Sequence, residues 1–131
     1  MKAVKPIESL DDIKVLVNSF YDKVRKDELL ADIFNNVIQD RWPQHLEKMY
    51  TFWQAVLLSE YTYEGSPFPP HAQLPVEKAH FDRWLQLFNA TLEEYFEGDR
   101  SERARWQANR MAEIFLSKIT FYRNNSSIQL A

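Results

Sequence analysis

Residues 67–84 read PFPPHAQLPVEKAHFDRW, and this stretch decides the fold. Its first half carries Pro67, Pro69, Pro70 and Pro75. Proline fixes φ near about −65° and removes a backbone donor, so this half is stiff and non-helical. Its second half opens a run in which Phe81, Trp84, Leu85, Phe88, Leu92, Tyr95 and Phe96 recur at the 3.6-residue period. That spacing predicts a helix over Glu77 to Phe96, with Gly98 where a helix end is expected. His71 stands in the first half, between Pro70 and Pro75. Most loop histidines are plain surface residues. A rigid connector, however, can also hold one imidazole at a fixed position against whatever the aromatic helix covers.

Working upstream, Ser9 with Asp12 three residues on reads as a helix start. Ile13, Leu16, Val17, Phe20, Tyr21 and Val24 then lie on one helical face. Leu29, Leu30, Ile33 and Phe34 predict a tight helical corner, and Asn35-Asn36 reads as a break. A second long helix is expected over Arg41 to Leu58. Pro43 suits its first turn, and His45, Met49, Phe52, Trp53 and Val56 line one face. Downstream, Ser101 to about Arg123 is the last helix, with Ala104, Ala108, Met111, Phe115, Ile119 and Tyr122 inward. Residues 124–131 are mostly polar and are expected to fray.

Composition narrows the function. The 131 residues suffice for one domain with one core, and no internal repeat divides them. Nine Phe, six Tyr and four Trp must fill a substantial core or cover something large and flat. Two glycines, in no phosphate-binding pattern, argue against nucleotide loops and hairpin-rich β structure. A net charge of −3 disfavours nucleic acid. The lack of cysteine excludes disulfides, thiolate zinc sites and cysteine-ligated iron–sulfur clusters. The longest apolar run, Ala55 to Leu58, is too short to span a membrane, and the first residues lack an apolar signal core. A soluble, cytoplasmic protein is expected.

The chain has no HExxH pattern, no histidine–carboxylate pair at ligand spacing and no serine with a plausible base in a known motif. Glu93 and Glu94 are neighbours in a helix and do not face each other, so a solvated face explains them. What remains is an aromatic-lined helical domain in which Tyr21, His45 and Trp84 could aim inward. Beside it stands His71, with His80 as a competitor for its role. All of these have ordinary explanations as core or surface residues. A flat apolar cofactor with one open axial position could also use them: one imidazole on the metal, apolar walls against water, and a few donors for a bound ligand.

The motifs FYDKVRKD with Tyr21, IFNN with Phe34, WPQHLEKMYTFW with His45 and Trp53, PFPPHAQLP with His71, and RWLQLF with Trp84 resemble those of group III truncated haemoglobins. The likeness runs from about Leu10 to Tyr122. It implies an all-α, two-over-two helical sandwich around b-type haem, with a truncated globin domain over residues 9–123 after an N-terminal extension of residues 1–8. It implies His71 as the iron ligand and Tyr21, His45 and Trp84 as the distal, ligand-facing set. Phe34, Met49, Phe52 and Trp53 would contact the haem, and Lys48 would reach a propionate. The other truncated groups carry glycine pairs near helix ends; this chain has none. The implied function is binding of oxygen, nitric oxide or carbon monoxide, for oxygen transport or as an enzyme. Oxidation of nitric oxide with a partner reductase, and peroxide chemistry, are the enzymatic versions. A haem-free helical interaction domain is the rival from another class.

Overall fold

The helices begin and end where local chemistry directs. In the computed structural model, residues 4–59 and 76–130 are described, apart from the side chains of residues 122 and 125–130. Five helices form among them: α1 (Leu10–Lys26), α2 (Ala31–Ile38), α3 (Trp42–Leu58), α4 (Lys78–Tyr95) and α5 (Asp99–Leu130). Ser9 is the N-cap of α1, and its amide donates to Asp12 Oδ2 at 3.3 Å. The Glu8 amide donates to the same oxygen at 2.8 Å. Lys5 Nζ lies 2.9 Å from Asp12 Oδ1. The predicted apolar face of α1 is the buried one: Ile13, Leu16, Val17, Phe20, Tyr21 and Val24 all face inward.

α1 packs on α3 and α5 packs on α4, and the two pairs meet through α1–α4 and α3–α5 contacts. This is the two-over-two sandwich. α2 docks on α1 as a short brace. Aromatic rings fill the junction. Phe88, almost fully buried, stacks on Trp53 at 5.0 Å and on Trp84 at 5.5 Å. Phe20 meets both Trp84 and Phe88 edge-on. Offset and edge-on ring pairs of this kind each add about 0.5–1.5 kcal/mol beyond area burial.

Two boundaries differ from expectation. Asn35-Asn36 does not break α2, which runs to Ile38. The Asn35 carbonyl accepts the Gln39 amide at 2.8 Å, and its side-chain oxygen accepts the Trp42 indole N–H at 3.2 Å. The backbone acceptor thus serves the end of α2 and the side-chain acceptor ties it to α3, and the break falls at Gln39, whose φ is +56°. α5 continues to Leu130, past the expected end near Arg123. Its inward stripe includes Ala104, Ala108, Ala112, Phe115 and Ile119, with Met111 half-buried. Tyr122 lies outside the described side chains.

Pro43 sits in the first turn of α3 as its sequence position requires. Gly98, at φ +95°, makes the turn between α4 and α5. The segment before α1 belongs in part to the fold. The Lys5 amide donates to the Tyr95 carbonyl at 3.2 Å, and the Glu97 amide donates to the Lys5 carbonyl at 3.0 Å. Arg100 donates to the Ile7 carbonyl at 2.9 Å, and the Ile7 side chain is fully buried. Among the described residues, no helix is long and apolar enough to cross a membrane.

Candidate functional site

Every helix contributes to one cavity. α1 gives Tyr21; Leu30 and Phe34 come from the corner and α2; His45, Met49, Phe52 and Trp53 come from α3. Val76 and the α4 residues His80, Phe81 and Trp84 form a further wall, and Met111, Ala112 and Phe115 of α5 complete it. The empty space among them, open solvent at the mouth included, comes to about 880 Å³. The lining is mostly apolar, with a phenol, two indoles and two imidazoles as its polar groups.

The local sequence fixes those groups. Tyr21 lies on the buried face of α1, and its ring contacts Phe34 at 6.1 Å, Trp42 at 5.7 Å and His45 at 5.1 Å. Burial pushes its phenol well above the ordinary tyrosine range. It therefore stays protonated, and able to donate, throughout neutral pH. His45 is held edge-on between Tyr21 and Trp42. Trp42 is itself anchored by its bond to Asn35 and by the Arg25 guanidinium 4.5 Å from its ring. Trp84 is oriented by the stack on Phe88 and by the edge of Phe20.

His80 has a specific task. It stands at the third position of α4, where its Nδ1 accepts the Glu77 amide N–H at 2.9 Å. The neutral ring then carries its proton on Nε2, so neither nitrogen offers a spare lone pair. That arrangement suits a helix cap and a hydrogen-bond donor, not a metal ligand. His71 and the rest of the proline-rich connector, residues 60–75, lie outside the described residues.

A model of the bacterial-like globin family matches residues 7–116. The chain belongs to that family. Its likeness to two relatives narrows the globin to the group III truncated haemoglobins. The group 3 truncated haemoglobin ctb of Campylobacter jejuni is 41% identical over 86 residues, covering 63% of this chain and 68% of that protein. The crystal structure of a group III truncated haemoglobin from Campylobacter jejuni matches this globin with a TM-score of 0.80 and 32% identity. That match covers 91% of this chain and 95% of the other.

A globin implies haem, and the cavity suits it: it has an apolar aromatic lining and few polar groups. Of the residues expected to surround haem, the fold brings Phe34, Met49, Phe52 and Trp53 to the cavity, together with Tyr21, His45 and Trp84. Lys48 is exposed and lies off the lining. Leu30, Val76, Phe81, Met111, Ala112 and Phe115 also line it and were not expected there. A helix face that walls a cavity has the same period as one that fills a core, so periodicity could not separate them.

Proposed function

We propose that this globin is a cytoplasmic protein that binds b-type haem through His71 and holds oxygen or a similar diatomic ligand. The convergence of Tyr21, His45 and Trp84 on one apolar cavity carries this reading. When bound, haem would supply an iron centre at which oxygen, nitric oxide or carbon monoxide can be taken up. Phe34, Met49, Phe52 and Trp53 would exclude water. Tyr21, buried and neutral, and Trp84, through its indole N–H, would donate to a ligand that has drawn negative charge. Lys48, which is solvent-exposed, would meet a haem carboxylate at the mouth. The hydrogen bond on His80 Nδ1, which leaves the ring proton on Nε2, favours His71 as the ligating imidazole.

Hydrogen bonds to charged groups contribute about 1.5–3 kcal/mol each, and about 1.4 kcal/mol is a factor of ten. Tyr21→Phe should therefore speed oxygen release by about ten- to a hundredfold. The deciding measurement is the visible spectrum of the purified protein, ferric, then reduced, then under carbon monoxide. A Soret band that moves at each step is expected, lost in His71→Ala and kept in His80→Ala. A flat spectrum after added haem overturns the haem reading, and loss of the band in His80→Ala instead of His71→Ala overturns the ligand assignment.

A further inference from the structure

We infer that the ion pair between Arg83 and Asp27 is a positioning device for the cavity, setting where Trp84 stands relative to Tyr21 and so how long a ligand is held. This rests on the haem reading above. Asp27 follows α1, the helix that carries Tyr21, and its side chain is only 3% exposed. One carboxylate oxygen receives Arg83 Nε at 2.6 Å. The other accepts the amides of Leu29 at 3.0 Å and Leu30 at 3.1 Å. Leu30 is buried and lines the cavity. Arg83 precedes Trp84 on α4 and is steadied along its own helix by a 3.1 Å bond to Gln86. A single carboxylate thus joins the helix of Tyr21, the wall residue Leu30 and the turn that bears Trp84.

The remaining α1–α4 contacts do not do this. The Phe20 contacts with Trp84 and Phe88 orient the rings, but they are apolar and neither reaches the end of α1 that Asp27 closes. The second bridge between these helices, Lys23 to Glu94 at 3.6 Å, lies toward the far end of α4. Arg83 meets Asp27 in a short charge-assisted bond, which tolerates little displacement. A shift of α4 at this end moves Trp84 directly, because the two residues are adjacent.

The test uses the haem-loaded protein, with oxygen dissociation by stopped flow and the infrared stretch of bound carbon monoxide as readouts. Arg83→Ala should raise the dissociation rate about three- to tenfold, less than loss of a donor outright, and should shift the carbon monoxide stretch. Asp27→Asn, which keeps an oxygen for the Leu29 and Leu30 amides, should do the same. Arg83→Lys should recover part of the parent rate. In a Trp84→Phe background, Arg83→Ala should add less than about twofold, because residues acting through one group are not additive. Arg83→Ala that lowers thermal stability but leaves both the rate and the stretch at parent values overturns the positioning role. So does full additivity with Trp84→Phe. A parent with no Soret band overturns the haem reading, and this inference with it.

Discussion

The two ends of α1 are closed by the same chemistry and do different work. At the start, Asp12 gathers the Glu8 and Ser9 amides and the Lys5 ammonium, all within a few residues along the chain. At the finish, Asp27 gathers the Leu29 and Leu30 amides and a guanidinium from α4. Both carboxylates are buried. The first arrangement is a local cap with an exposed cation. The second is a joint between helices, beside the cavity. Two amides and one cation therefore yield helix initiation in one place and tertiary registration in the other, and the sequence distance of the cation decides which.

The largest effect should separate the ends by stability. Asp27→Ala leaves the Leu29 and Leu30 amides without their acceptor and removes the bond to the exposed Arg83, at a cost of about 2–3 kcal/mol in urea unfolding. Asp12→Ala loses a capping interaction, typically about 1 kcal/mol. Equal costs would break the contrast.

Acid titration sharpens it. Burial pushes both carboxyls up, but the bond to Arg83 and the two backbone amides more than undo this for Asp27. For Asp12 the bond to Lys5 and the Glu8 and Ser9 amides do the same. Both are held below the usual carboxylate value of about 3.9. Each contribution is complete above the unfolded-state value and is lost as pH falls through the lower folded value. Stability should therefore decline below about pH 5 in the parent and decline less steeply in Asp27→Asn and Asp12→Asn, measured by urea midpoints across pH 2–6.

The smallest effects concern ligand release and salt. Asp12→Asn should leave the oxygen dissociation rate within about twofold of the parent, whereas Asp27→Asn should not. Lys5→Ala should lie within error of the parent at about 1 M salt, because its ammonium is exposed and screened there. A rate change in Asp12→Asn would mean that the cap also reaches the cavity.

This contrast also explains what could be read from the chain unaided. Ser9 and Asp12 are a local pattern, and the face from Ile13 to Val24 is a periodic one; both are visible in a line of text. Tyr21, His45 and Trp84 could be singled out because a phenol, an imidazole and an indole on apolar faces ask for a reason; a distal role for them is what the resemblance implies. Asp27 and Arg83 look like two solvated charges until the fold places them 2.6 Å apart. Asn35 misled for a related reason. Its propensity to end helices was overridden by a tertiary partner, the indole of Trp42. The α5 wall went unnoticed because nothing in Met111, Ala112 or Phe115 distinguishes an empty neighbour from a filled one.

The segment around Lys5 and Ile7 has a consequence in time. Its partners, Tyr95, Glu97 and Arg100, lie most of the chain away. Bringing such distant residues together costs loop-closure entropy that contacts between neighbouring helices do not. The N-terminal segment should therefore dock after the barrier to folding has been crossed. Substitutions at Ile7 would leave the refolding rate nearly unchanged and shorten the lifetime of the native state, making this segment the latch that closes last and opens first.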